Sequence, residues 1–230
     1  MSRRVHVVTG AGSGIGRAVA TMLRDRGDDL VLPVRSAARV EALRPEFPDA
    51  DFVIADLADH DLLPEIASVV PARIDSLVHS AGVVQLGSVE ETDGASWQRQ
   101  LAVNLVAPAI LTSALLPALR AARGTVVFVN STSGLTGNPG WAAYAASKAA
   151  VRSFADVLRQ EEAAHGVRVT SVYPSRTATA MQEQVHRAEG KEYDASQWIR
   201  PETVAEAIVG VLDLGADATM PDLTIRPAPH

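Results

Sequence analysis

Val5-His-Val-Val-Thr-Gly10-Ala-Gly-Ser-Gly14-Ile-Gly16 decides the fold of this chain. Val5–Thr9 is β-branched and nearly all apolar, the pattern of a parallel strand buried on both faces. The Ala/Leu/Arg-rich segment Ile15–Arg26 reads as a helix. The chain must turn sharply between the two, and glycine permits the dihedrals that such a turn needs. Glycines also let backbone N–H groups approach a pyrophosphate at the helix N-terminus. Gly10, Ser13, Gly14, Ile15 and Gly16 are therefore candidate dinucleotide-binding residues. The spacing is Gly-x-x-x-Gly-x-Gly, and the common Gly-x-Gly-x-x-Gly fingerprint is matched in no register. No Lys-Ser/Thr follows, which excludes a Walker A loop.

The same alternation continues outward. Further strands are expected at Asp29–Val34, Asp51–Ala55, Ser76–His79, Thr125–Asn130, Arg168–Tyr173 and Leu223–Arg226. Helices are expected at Ala37–Leu43, Leu62–Val70, Ala95–Ala121, Trp141–His165 and Glu202–Leu214, with Pro201 at the first helical position of the last. About seven strands alternating with helices predict an α/β doubly wound parallel sheet with helices on both faces. No linker or composition break divides residues 1–230, so a single domain is expected. Residues 177–200 are polar, with few apolar anchors, and read as a non-strand substrate loop.

An acidic residue at the end of the second strand would bind an adenosine ribose. Arg35 stands there instead, with Arg39 one turn later, while Asp28 and Asp29 lie at the wrong end of that strand. A guanidinium matches a 2′-phosphate in charge and fork geometry, so NADP(H) is favoured over NAD(H). Asp56, after the third strand, is a candidate for capping the next turn or for contacting adenine.

Composition narrows the remaining classes. Of 230 residues, 47% are hydrophobic and only 4% aromatic, so the core must be aliphatic. Net charge is −6 and the basic residues are scattered, which argues against nucleic acid and anionic membrane as partners. Arg3-Arg4 reads as a solvated terminus. There is no cysteine, so disulfides, thiolate nucleophiles and Cys-ligated zinc are excluded, and no metal site is expected. The apolar run after Arg4 is too short for a signal peptide or a membrane span, and a cytoplasmic protein is expected.

The chemistry is carried by Tyr144-Ala-Ala-Ser-Lys148, with Ser131 upstream. On a helix Tyr144 and Lys148 share a face. A cation there is expected to lower the phenol pKa and make Tyr144 a usable proton donor or acceptor. Ser131 adds a hydroxyl that could hold a carbonyl oxygen.

Together these motifs resemble the short-chain dehydrogenase/reductase family, in its short single-domain Rossmann-fold branch. The resemblance spans essentially the whole chain and includes the glycine loop, Asp56-Leu57, Ser80-Ala81-Gly82, Asn104, Ser131, Tyr144, Lys148 and the segment from Pro174 to Thr179. It implies Tyr144 as general acid or base, Ser131 as the group orienting the substrate oxygen, and Lys148 on the nicotinamide ribose. Asn104 would hold a water that relays protons to Lys148. Leu57, Ala81, Gly82, Pro174, Thr177 and Thr179 would line the nucleotide, Thr179 beside the nicotinamide amide. The family also implies a homodimer or homotetramer. Three departures stand out: His79-Ser80 replaces the usual Asn-Asn, Pro174-Ser175 replaces Pro-Gly, and Ser13 occupies a site often basic in NADP-preferring members. His79 reads as a core histidine.

Leu135, Trp141 and Met181 are the substrate-facing candidates, with Trp198, Val83 and Val84 near them. They suggest an apolar pocket for a lipophilic ketone, quinone, diketone or acyl-thioester. The leading reading is an NADP(H)-dependent oxidoreductase that reduces a carbonyl or oxidises the corresponding alcohol by hydride transfer. The alternatives are a sugar-nucleotide epimerase or dehydratase, and an NADP(H)-sensing regulatory protein without turnover. The first would need a further substrate domain, and only 82 residues follow Lys148.

Overall fold

The computed structural model describes residues 3–228. Seven strands form one parallel sheet: β1 (Val5–Thr9), β2 (Asp29–Val34), β3 (Asp51–Ile54), β4 (Ser76–His79), β5 (Thr125–Val129), β6 (Arg168–Pro174) and β7 (Asp222–Ile225). Their order is β3-β2-β1-β4-β5-β6-β7. The chain winds outward one way from β1 and the other way from β4, so a crevice opens at their C-terminal ends. The expected α/β doubly wound architecture is what the chain adopts.

The helices are α1 (Gly14–Asp25), α2 (Ala37–Leu43), α3 (Gly94–Leu101), α4 (Ala107–Ala122), α5 (Ala142–Glu162), α6 (Ala180–Ala188) and α7 (Pro201–Leu212). Successive strand residues point to opposite faces, and the two cores follow from that. Val8, Leu32, Val78 and Val172 pack with Val19 and Leu23 of α1 and Val204 and Ile208 of α7. Val7, Leu77, Val126 and Val169 pack with Leu111, Leu115 and Leu119 of α4 and Val151 and Leu158 of α5.

Three local expectations change. Pro64 lies inside the expected Leu62–Val70 helix, and residues His60–Ser68 form a 3₁₀ helix instead; proline cannot donate an α-helical hydrogen bond. The long helix expected over Ala95–Ala121 is interrupted by a π turn at Ala102–Val106. The stretch Gly94–Ala122 is long and apolar enough to cross a membrane (mean hydropathy 1.8), but Leu111, Leu115 and Leu119 bury its apolar side against the sheet. Residues 177–200 are not simply a loop. Thr179 accepts the Gln182 N–H and starts α6, and Val185 and His186 are buried beneath it.

Arg3-Arg4 is not merely solvated. Arg3 donates to the Gly27 carbonyl at 2.7 Å. Arg4 reaches Asp213 at 2.9 Å and the Leu212 carbonyl at 3.3 Å, tying β1 to the end of α7. A cation at a helix C-terminus meets the negative end of its dipole.

His79 is a core residue as expected, 4% exposed. It stacks on Phe128 at 5.0 Å and its Nε2 lies 2.8 Å from Thr112 Oγ1. Burial lowers its pKa from 6.5 to about 3. The folded state therefore resists protonation that the unfolded chain accepts. His79's contribution is fully present above pH 6.5 and is lost as pH falls toward 3. His79→Asn should cost about 1–3 kcal/mol at neutral pH, and its urea midpoint should fall less steeply on acidification than that of wild type. Parallel falls in the two proteins would show that His79 does not control acid stability.

Candidate active site

At the C-terminal ends of β1, β4, β5 and β6 lies a cleft of about 670 Å³. Its floor is set by the glycine loop. Gly10 has φ +75°, and a Cβ there would sit 2.7 Å from the Ala81 nitrogen. A Cβ on Gly16 would sit 2.5 Å from the Gly10 carbonyl oxygen. No side chain fits at either position, so the backbone of β1 runs directly against that of β4. Thr9 Oγ1 accepts the N–H groups of both Ser80 and Ala81 at 3.2 Å. That hydroxyl fixes the turn which follows His79-Ser80.

Ser13 stands at the N-cap of α1 in extended conformation, and its side chain makes no capping hydrogen bond. Ser13, Gly14 and Ile15 face the cleft. This bare helix N-terminus on a glycine cradle fits a dinucleotide pyrophosphate. Arg39 donates to the Gly12 carbonyl at 3.0 Å and so lies over the loop. Arg35 is exposed at the end of β2. Among the described residues no hydrogen bond or ion pair engages it.

Across the cleft, α5 presents Tyr144 and Lys148. Both are buried, Tyr144 at 8% exposure and Lys148 at 6%. Asn130, at the end of β5, accepts the Ser131 N–H at 2.9 Å and donates to the Lys148 carbonyl at 3.0 Å. One side-chain amide thus holds Ser131 and α5 in register. Lys148 Nζ donates to the Val129 carbonyl at 3.0 Å and sits 5.8 Å from the Tyr144 ring centroid. The Trp141 ring meets Tyr144 edge-on at 5.7 Å.

The electrostatics differ from the sequence expectation in one respect. Burial is the largest influence on Tyr144 and raises its pKa, while the Ser131 hydroxyl draws it part of the way back. Lys148 is perturbed by the same cause. Burial lowers its own pKa from 10.5 to about 8, because a charge in a poor dielectric is penalised.

Asn104 lies on the π turn, behind the cleft wall. It donates to the Val83 carbonyl at 2.9 Å and to Ser147 Oγ at 3.0 Å, and accepts the Val83 N–H at 2.8 Å. Gln100 treats Gln85 in the same way, accepting its N–H at 3.1 Å and donating to its carbonyl at 3.2 Å. Two side-chain amides one turn apart therefore hold residues 83–85 extended, as a neighbouring strand would.

Of the sequence candidates, Gly10, Ser13, Gly14, Ile15, Ala81, Gly82, Ser131, Trp141, Tyr144, Lys148, Pro174, Thr177, Thr179 and Met181 line this one cleft. Others lie elsewhere. Leu135 follows the 3₁₀ turn Thr132–Gly134, which directs it outward at 39% exposure, and Thr132 and Ser133 face the cleft instead. Leu57 packs against the core on the α4 side. Asp56 Oδ1 accepts the Ala58 N–H at 2.9 Å, a local turn. Sequence reading missed Asn130, Gln100, Arg176, Gln182 and Glu189. Asn130 follows a clear strand, which is the one signal that could have found it. The others depend on which way α3 and α6 face.

Residues 4–190 match the short chain dehydrogenase family. An uncharacterized oxidoreductase of Staphylococcus saprophyticus is 30% identical over 233 residues, covering 97% of both chains. Dehydrogenase/reductase SDR family member 7B of Bos taurus is 33% identical over 90% of this chain and 70% of its own. Among solved structures, a short chain dehydrogenase of Salmonella enterica serovar Typhi superposes with TM-score 0.89 at 27% identity, covering 98% of this chain and 97% of that one. A chain of Escherichia coli CFT073 assigned to the same family and crystallised with NADPH gives TM-score 0.88 at 28% identity, covering 99% and 98%. The chain belongs to the short chain dehydrogenase family and is one of its oxidoreductases.

Lys148 offers a thermodynamic test. Its folded pKa is depressed, so the buried charge lowers stability below about pH 8, and that penalty fades as pH rises from 8 through 10.5. Lys148→Met should raise the Tm of the nucleotide-free protein at neutral pH by about 2–4 °C. The gain should shrink as pH approaches 10.5. A lower Tm at neutral pH would show that the Val129 hydrogen bond outweighs the burial penalty.

Proposed function

We propose that this chain is a single-domain NADP(H)-dependent carbonyl reductase, working on a small-molecule ketone or, in reverse, on the corresponding alcohol. The observation that carries the reading is the convergence of Ser131, Tyr144 and Lys148 on the cleft that the glycine loop also lines. The bound nicotinamide would supply or accept the hydride.

The protein's own groups do the rest. Ser131 and Tyr144 hydroxyls hold the substrate oxygen and stabilise the negative charge that develops on it. Tyr144 gives that oxygen its proton. Burial keeps the Tyr144 phenol protonated at neutral pH, the state a general acid needs. Lys148, with a pKa of about 8, can return a proton near neutral pH as well as hold the nicotinamide ribose. Asn104 acts here chiefly by fixing Val83 and Ser147 around the lysine. Its expected water would have to use the lone pair left on its carbonyl oxygen.

Arg35 supports the preference for NADP(H), since its guanidinium is uncommitted at the end of β2. Arg39, held over the glycine loop by the Gly12 carbonyl, supplies a second guanidinium. The NADPH complex of the similar Escherichia coli chain agrees with that preference. We place the protein in the cytoplasm as a homodimer or homotetramer.

Purified protein given NADPH or NADH and a panel of ketones, diketones and quinones should consume NADPH preferentially. Tyr144→Phe should lose about 10²–10⁴-fold in kcat while NADPH binding survives. Arg35→Ala should narrow the NADPH/NADH preference about tenfold. Tight NADPH binding with no turnover on any carbonyl would instead favour a nucleotide-sensing protein. Full activity in Tyr144→Phe would remove the proton-donor role.

A further inference from the structure

Charged and polar groups line the cleft alongside Trp141 and Met181. The side of α6 that faces it carries Gln182 and, just past the helix end, Glu189, opposite Arg176. Arg176 forks onto Glu189, with Nη1 at 3.0 Å from one oxygen and Nη2 at 2.7 Å from the other. The guanidinium also lies 5.5 Å from the centre of the Trp198 ring, and its Nη1 is 3.4 Å from His186 Nε2. The pair is held in place from behind but not sealed, with Arg176 28% and Glu189 14% exposed. The arginine holds the Glu189 carboxyl below its usual range, so it is ionised at neutral pH. Lys191 also contacts Glu189, but from the solvent side at 61% exposure.

A lipophilic substrate seated here would strip water from two charges and put nothing in its place. A carboxylate would meet the arginine but be repelled by Glu189. A hydroxyl both donates and accepts. The arginine keeps N–H donors that the fork leaves unused, and the carboxylate keeps free lone pairs beside them. Asn138 and Thr132 add neutral donors and acceptors to the same cleft.

Resting on the carbonyl-reductase reading, we propose that the substrate is a hydroxylated carbonyl compound: its carbonyl oxygen sits on Ser131 and Tyr144, and its neighbouring hydroxyls sit on the Arg176–Glu189 pair. These two residues set specificity and take no part in the proton transfer.

The test compares erythrulose, 2-butanone and acetoacetate with NADPH, in wild type, Arg176→Lys and Glu189→Gln. Arg176→Lys keeps the charge but loses the fork, and Glu189→Gln keeps the shape but loses the charge, so the two fail differently if α6 is disturbed. In wild type, kcat/KM for erythrulose should exceed that for 2-butanone by about tenfold or more, because a site built for a hydroxyl penalises the analogue that lacks it. Both variants should erase most of that ratio, through KM rather than kcat. A wild-type preference for 2-butanone or acetoacetate would overturn the proposal, as would a ratio that neither variant moves. Erythritol binding in the presence of NADP+, read from tryptophan fluorescence, separates the two levels of inference. Erythritol that binds wild type and not the variants, with no ketone reduced, would sink the reductase reading while leaving the hydroxyl site standing. Absence of both erythritol binding and erythrulose turnover would overturn the hydroxyl site.

Discussion

Everything in the cleft depends on one close backbone approach, that of Gly10 against Ala81. A Cβ on Gly10 would sit well inside the van der Waals contact distance of the Ala81 nitrogen, and the φ of +75° there is also one that side chains resist. Because the two strand ends can touch, β1 and β4 lie side by side at the point where the winding reverses. The loops above them then diverge and leave a crevice. Thr9 Oγ1 locks this arrangement by accepting two N–H groups from the opposite turn. The N-terminus of α1 consequently faces the same space as Ser131 and Tyr144.

The opposite wall is an arrangement in which chemistry and stability pull apart. A lysine and a tyrosine are buried at the head of α5, and each is displaced from its ordinary pKa in the direction that burial dictates. Neutral side chains secure them. Asn130 ties β5 to α5, and Asn104 ties the π turn to Val83 and Ser147. The π turn places Asn104 where a regular helix would carry it past the contact, consistent with the tendency of such turns to occur at functional sites. A buried cation is a local loss that the two large aliphatic cores can absorb.

Much of this was legible in the order of residues. The boundaries of β1, β2 and β4 follow directly from β-branched runs bounded by glycine or charge, and parallel strands buried on both faces leave little ambiguity. Tyr144, Lys148, Ser131 and the glycine loop, which the structure gathers on one cleft, are legible as motifs because their spacing within helix, strand end and turn is local. Other features were not. The helix at Ala180–Ala188 looked like loop because its inward face carries Gln182 and His186, whose polarity is satisfied only by Arg176 and by each other. Leu135 looked like a pocket residue because it is apolar and close in sequence to Ser131, but the 3₁₀ turn between them directs it to solvent. The expected lowering of the Tyr144 pKa counted only the Lys148 cation on the same face of the helix. Burial, which no spacing reveals, reverses the sign.

The sequence alone determined the winding of the sheet, the cradle at the start of α1 and the shared face of Tyr144 and Lys148, because each depends on steric or periodic rules that act over a few residues. Only the tertiary structure decided which side chains sit around them. It brought Gln100 and Asn104 to the edge of residues 83–85, folded Arg176 onto Glu189 across a helix, and set Arg39 rather than Ser13 over the glycine loop. Those contacts join residues remote in the chain or depend on which way a helix faces. Their energies are set by desolvation and by the geometry of facing groups, and neither exists until the chain has closed.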